Sequence, residues 1–339
     1  MCGIVGAYDY RTRQPVDPTR IDRMTDAVQH RGPDDAGVFS YDNVGLGHRR
    51  LSILGLGSQG KQPMWSADGR FCVVFNGEIY NYIELRRELE AAGLRLRSGT
   101  DTEVLLELYA REGARSLDRL RGMFAFAIWD REERVLFVAR DRIGIKPVYW
   151  VDSSEGFAFA SEVKALIAGG FGKSEVELRE IDEYMRCGYV PGERSLFRGV
   201  RKLLPGHCLR VSESGIEVSK YWEVRYEPNA IRSEADTAEE LRSLLLESSR
   251  LHMRSDVPVG VFLSGGLDSS AVVSLLADSG FSGVKTFSVA YDDGPDFDET
   301  AYAKLVADRF ETDHHVLYVE PTEFAEFVPS YVRAMDEPV

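Results

Sequence analysis

No run in this sequence approaches about 18 uninterrupted apolar residues, which excludes an ordinary membrane-spanning helix. The opening MCGIVGAYDY lacks a basic segment followed by an apolar one, so no secretory leader is expected there. Cysteine is scarce. Cys2, Cys72, Cys187 and Cys208 are widely spaced and form no CxxC pair, which argues against a disulfide framework or structural zinc and for a reducing compartment. Positive charge is also short: 41 Lys and Arg stand against 55 Asp and Glu, a net charge of −14. That balance argues against nucleic acid or an anionic membrane as the main partner, and plain solubility is the main reason for it. A soluble, cytoplasmic protein is expected.

The residues that are present suit two globular domains. The 339-residue length is twice that of a common domain, and 44% hydrophobic residues supply two cores. Before Gly169 the chain reads as short strands with a few helices. Ile4–Tyr8, Phe71–Phe75, Phe124–Trp129, Val135–Ala139 and Phe157–Ala160 are apolar runs bounded by turn residues. Helical spacing occurs over 80–92 and 101–112, with Asp101 placed to cap the second helix. This pattern predicts an α+β domain on antiparallel sheet. Glycines mark a break at Gly169–Lys173, and 174–223 reads as an irregular connector with a helix over 178–187 and a hairpin around Ser212–Gly215. A polar loop is expected over 229–237. After it come a helix over 238–253, strand Val257–Leu263, helix 268–278, strand Val284–Ala290, helix 298–310 and strand Val316–Val319, the alternation of a parallel α/β sheet.

Cysteine at position two has a specific chemical meaning. When the second residue is small, the initiator methionine is normally removed, and Cys2 then carries a free α-amine with an ordinary pKa of roughly 7.7–8.0. That amine can take the proton of its own thiol, the N-terminal form of nucleophile activation. A cysteine there is often incidental, so the other segments matter. Asn76–Gly77 follows a strand and offers a side-chain amide and a backbone N–H for an oxyanion, though Asn-Gly after a strand more often marks a hairpin turn. Arg50 offers a planar fork for a carboxylate, or is an ordinary surface arginine. Asp101 can bind an ammonium, or cap its helix.

MCGIVGAYD, QHRGPDD (29–35), GHRRLSIL (47–54), FNGEIYN (75–81), SGTDTEVLL (98–106), LRGMFAFAIWD (120–130), RDRIGIKPVYW (140–150) and SEVKAL (161–166) together resemble the class II glutamine amidotransferase domain. Among its members they resemble the glutamine-hydrolysing asparagine synthetases. The resemblance implies an αββα sandwich of the N-terminal-nucleophile type. It also implies that Cys2 attacks the glutamine side-chain amide and that Asn76 and Gly77 hold the oxyanion. Arg50 would bind the α-carboxylate with the backbone of Leu51, Ser52, Ile53 and Leu54. Glu78 and Asp101 would hold the α-ammonium, and Arg31 shapes the pocket or makes a structural salt bridge.

GVFLSGGLDSS (260–270) reads as a buried strand, a Gly-Gly turn and a helix opening near Asp268. Such a turn lets backbone N–H groups approach an anion, and serine hydroxyls add donors. No GK[ST] follows, so it is not a Walker loop. SGGxDS after an apolar strand resembles the pyrophosphate loop of enzymes that split ATP to AMP and pyrophosphate. The resemblance implies adenosine against Leu263 and Val289, pyrophosphate along Ser264, Gly265, Gly266, Ser269 and Ser270, and Mg²⁺-pyrophosphate near Asp268, for which helix capping is the other role. His314 and His315 lack a ligand set, and no protein-held metal is expected.

The domains expected are a glutaminase over 2–168, a connector over 169–236 and an asparagine-synthetase-like ATP-binding part over 237–339. That last part is expected to be incomplete, because members of the family continue into a second glycine- and acid-rich loop. The expected activity is glutamine-dependent amidation of a carboxylate, aspartate first, through an acyl-adenylate made from Mg-ATP, in a homodimer. The alternatives are another carboxylate acceptor, a β-lactam-synthetase-like enzyme (which typically lacks the nucleophile) and a non-catalytic glutamine or nucleotide sensor.

Overall fold

The computed structural model describes residues 1–228, 233–291 and 300–337. They form two compact units, 1–225 joined by the residues from Met335 onward, and 226–334.

The first unit stacks two six-stranded antiparallel sheets. One runs, edge to edge, Arg201–Lys202, Tyr149–Ser153, Gly156–Ala160, Gly3–Tyr8, Val44–Arg50, Asp35–Tyr41. The other runs Gly215–Lys220, His207–Ser212, Val135–Arg140, Gly122–Asp130, Phe71–Ile79, Met64–Trp65. Side chains of a strand alternate between its two faces, and the central strands are apolar on both. Ile4, Tyr8, Cys72 and Val74 therefore meet in the core between the sheets. Val5 and Ala7 pack outward against helices Pro18–Ala27 and Val163–Ala168, while Val73 and Phe75 pack outward against Tyr82–Ala91 and Asp101–Glu112. The result is four layers, helix–sheet–sheet–helix, as the resemblance implies.

The second sheet takes two strands from the segment read as a connector. His207–Ser212 pairs with Val135–Arg140 and turns back into Gly215–Lys220, because Leu209 and Val211 alternate inward and are fully buried.

The second unit carries a parallel sheet of Gly260–Phe262, Lys285–Tyr291 and Asp313–Val319. Helices Leu267–Asp278 and Thr300–Phe310 pack on it through Leu263, Val273, Ala303 and Ala307. The predicted loop over 229–237 lies outside the described residues up to 232, and from Glu234 onward it is already helix. Glu234–His252 starts early because the Ser233 side chain caps it by accepting from the Asp236 N–H. The start of the predicted 298–310 helix, residues 298 and 299, also lies outside the described residues. His314 and His315 both fall inside a strand, where His314 Nδ1 meets Thr286 Oγ1 at 2.9 Å and His315 stacks on Phe287. Among the described residues no helix is long and apolar enough to cross a membrane.

Candidate active site

The alternation that builds the first core also builds a site at its edge. Ile4, Leu46 and Val74 face the other sheet. Counting by twos from them puts Cys2, Arg50, Asn76 and Glu78 on the same inner faces at the strand ends, where the apolar filling stops. A cavity of about 130 Å³ opens there, lined by Cys2, Arg50, Leu51, Ile53, Leu54, Asn76, Gly77, Glu78 and Asp101. Ser52 is the one predicted glutamine-binding residue outside that lining. Its N–H donates to Asp34 Oδ2 at 2.8 Å.

The Cys2 sulfur lies against Leu51, receiving its N–H at 3.4 Å and pointing its own S–H toward the Leu51 carbonyl at 3.7 Å. Burial pushes the thiol above its ordinary pKa, opposed by the Leu51 N–H. Arg31 fixes the Cys2 backbone, with Nε donating to the Cys2 carbonyl (2.9 Å) and Nη1 to Glu162 (2.8 Å), so its two expected roles are one arrangement.

Asn76 and Gly77 do not form a hairpin turn. Both lie inside Phe71–Ile79, paired with Ala125 and Phe124. Asn76 is fully buried, yet among the described residues neither Nδ2 nor Oδ1 has a hydrogen-bond partner. In an antiparallel pair every second residue turns its N–H away from the partner strand. The Phe75 N–H goes to Gln62 Oε1 (2.6 Å) and the Ile79 N–H to Asp101 Oδ2 (3.0 Å). Gly77, between them, directs its N–H to the same side. It must be glycine: a Cβ would lie 2.1 Å from the Met123 carbonyl oxygen.

Asp101 is not the helix cap. Thr100 is, accepting from the Glu103 N–H, and Asp101 is the first helical residue. Burial, with Glu78 nearby, raises the Asp101 carboxyl to about 7. Arg50 is not a surface residue either. It is buried, with Nη1 donating to Gly57 O (3.0 Å) and Nη2 to Leu54 O (3.1 Å) and Gly55 O (2.5 Å), so it shapes the loop that walls the cavity. Met1, Gly60, Lys146, Gln62, Thr102, Phe75 and Met123 complete the wall. None was singled out from the sequence as a site residue. Lys146 was legible only as part of RDRIGIKPVYW, and nothing local marks it as buried.

In the second unit a cavity of about 350 Å³ is lined by Phe262, Leu263, Ser264, Phe287, Ser288, Val289, Thr300 and Ala303. It lies by the carboxyl end of a parallel strand, where α/β sheets bind ligands. Gly265 has φ +79°, and a Cβ there would meet the Ala303 backbone nitrogen at 2.5 Å. Gly266 caps Leu267–Asp278 without a side-chain bond, so the helix presents bare N–H groups. Ser264 and Ser269 hydroxyls meet at 3.1 Å beside them. Asp268 is exposed in the first turn and is not the cap. This donor set suits a phosphate chain. Among the described residues no group of three His, Cys, Asp or Glu is placed to hold a metal ion.

A protein family described as glutamine amidotransferase domain matches residues 1–222, and one described as asparagine synthase matches residues 240–339. A Methanocaldococcus jannaschii relative named for glutamine-hydrolysing asparagine synthetase is 38% identical over 100% of this chain and 68% of its own length. Asparagine synthetase [glutamine-hydrolyzing] 1 of Bacillus subtilis is 38% identical over 100% of this chain and 53% of its own. The chain thus spans 68% and 53% of the length of these two relatives. A solved glutamine phosphoribosylpyrophosphate amidotransferase from B. subtilis superposes with a TM-score of 0.51 at 17% identity, covering 93% of this chain and 65% of that one, a likeness of fold.

Proposed function

This chain belongs to the family of the glutamine-hydrolysing asparagine synthetases, and on that premise we propose that its first unit hydrolyses glutamine at Cys2 to supply ammonia for amidation. The observation that carries the reading is the buried, unpartnered amide of Asn76 on the wall that Cys2 shares. An unsatisfied buried polar group is costly, and a donor held without a partner suits a charge that exists only during reaction.

With Met1 removed, the Cys2 α-amine takes the thiol proton. The sulfur bonds to the side-chain carbonyl carbon of glutamine, and the carbonyl electron pair moves to oxygen, held by Asn76 Nδ2 and the Gly77 N–H. On collapse the C–N bond breaks, the α-ammonium returns its proton to nitrogen, and ammonia leaves a thioester. Water then attacks the thioester through a second oxyanion, the S–C bond breaks, and glutamate leaves with the thiol restored. Leu51 holds the sulfur, Arg50 takes the α-carboxylate, and Glu78 with Asp101 takes the α-ammonium.

In the second unit Leu263, Val289 and the Ser264–Ser270 loop would hold Mg-ATP, with Asp268 near the metal. ATP supplies activation of a carboxylate, aspartate, as an acyl-adenylate that the ammonia converts to an amide. A reducing, cytoplasmic setting suits the free thiol.

Glutamate and ammonia should appear in equal amounts when the protein is incubated with glutamine, and intact mass should lack one methionine. Folded protein that releases no glutamate would refute the glutaminase reading. Full activity with Met1 retained would refute the α-amine as base.

Asp101 predicts a pH dependence. Only the carboxylate attracts an ammonium, so KM for glutamine should fall as pH rises through about 7 and then level. Asp101→Asn should raise KM about tenfold to over a hundredfold, the ~1.5–3 kcal/mol of a charge-assisted contact, and erase that dependence. Stability runs the other way. A carboxyl raised in the fold contributes most below its ordinary range and loses that contribution as pH rises toward about 7. At pH 8 the Asn variant should therefore melt no lower than wild type. A flat KM profile in wild type would refute the assignment.

A further inference from the structure

Lys146 has no part in the steps above, yet it faces the same cavity as Cys2 and Glu78. The turn carrying it is rigid. The Asp141 carboxylate accepts from the Ile145 N–H (2.9 Å) and the Lys146 N–H (3.0 Å), and Arg140 Nε donates to the Lys146 carbonyl (2.8 Å). These bonds use the backbone of Ile145 and Lys146, and none uses the Lys146 side chain. The side chain is only 4% exposed, and among the described residues its Nζ has neither a hydrogen-bond nor an ion-pair partner.

A buried ammonium without a counter-charge is among the costlier things a fold can hold. Burial accordingly pulls Lys146 below its ordinary pKa, while Glu78 and Cys2 draw it back up. The groups facing this corner are Lys146, Arg31 and Arg50 on the positive side and Glu78, Asp101, Asp141 and Asp34 on the negative, together with the Met1 α-amine. Arg31 is bonded to the Cys2 carbonyl and Glu162, and Arg50 to its loop. Arg31 keeps one nitrogen, Nη2, without a partner, but among the described residues Lys146 is the one of these three cations with no bond at all at its charged end.

We propose that Lys146 is the electrostatic partner of Cys2, a positioning residue whose ammonium stabilises the sulfur as thiolate from within the cavity. The inference rests on the glutaminase reading for its use, but not for its test. Burial already raises the Cys2 thiol above its ordinary pKa, and removing that cation would leave burial less opposed and raise it further. Burial lowers the pKa of the Met1 α-amine, and the Lys146 charge acts in the same direction.

The test follows alkylation of Cys2 by iodoacetamide against pH, peptide by peptide. Sulfur displaces iodide, so the rate tracks the thiolate. Cys187 is exposed and is replaced by serine, whereas Cys72 and Cys208 are buried, with burial pushing the Cys208 thiol up to about 11. Lys146→Met should move the alkylation midpoint up by about one pH unit, which is about tenfold slower labelling at neutral pH. Lys146→Arg should restore the midpoint. In the glutaminase assay kcat should fall with little change in KM, and the Met variant should melt no lower than wild type. Lys146→Gln is measured beside it, so that a misfolded Met variant does not stand as an answer. A folded neutral variant with an unmoved midpoint overturns the inference, as does a change confined to KM, which would make Lys146 a carboxylate ligand. Wild type that alkylates normally but releases no glutamate would refute the glutaminase reading and leave the Lys146 result intact.

Discussion

Cys2→Ala is expected to lower glutamine hydrolysis at least about a thousandfold, because no other group can form the thioester. The remaining cysteines cannot substitute. Cys72 and Cys208 are buried, Cys72 in the core between the sheets and Cys208 against the helix layer of the second sheet, and Cys187 ends a surface helix. The fold should tolerate the change. Cys2 precedes the first strand, and the loss is one sulfur with a weak contact to Leu51. ATP binding should be unaffected, since the residues assigned to it lie in the other unit. Glutamate release is measured alongside nucleotide binding and thermal melting. Retention of more than a few per cent of the activity would place the nucleophile elsewhere, and a collapse in melting temperature would make the loss uninformative about chemistry.

Asn76→Ala is expected to reduce kcat by about a hundredfold to a thousandfold, the ~2.7–4 kcal/mol associated with a single oxyanion donor, with KM for glutamine little changed. The stability effect should have the opposite sign. Removing a buried amide usually costs stability because its partners are stranded, but Asn76 has none to strand. The variant should melt at or above the wild-type temperature. That opposition separates an oxyanion donor from a structural asparagine, whose removal would lower activity and stability together. Gly77→Ala cannot report the same way, because its Cβ would collide with the Met123 carbonyl and shift the strand itself.

Much of this was legible in the sequence because the chemistry is local in the chain. A nucleophile at position two, Asn76–Gly77–Glu78 directly after an apolar strand run, and a glycine turn between an apolar strand and a helix at Ser264–Ser270 each fit within about ten residues. Alternation and helical spacing located the strands at Ile4, Phe71, Phe124 and Val135 and the helix at Asp101, since those runs bury both faces or one clean stripe. Where local pattern was ambiguous, the sequence left two readings and tertiary contacts chose between them. Asn-Gly reads as a turn until the neighbouring Gly122–Asp130 strand pairs across it. Asp101 reads as a cap until Thr100 takes that role and frees its carboxylate for the Ile79 N–H.

Three features were beyond reach for a plain physical reason. Val44–Arg50, VGLGHRR, carries Arg50 to the cavity but looks like loop, because glycine and charge mask a strand whose burial comes entirely from its neighbours. His207–Ser212 joins the second sheet from far along the chain, a pairing no local pattern encodes. Lys146 reads as one more surface lysine, and only the folded chain shows it buried and unpaired beside Cys2. The sequence alone determined which chemical groups are available and which segments extend or coil. Burial, pairing and charge environment are properties of distant segments brought together, so only the tertiary structure decided which of those groups share a wall and what each contributes there.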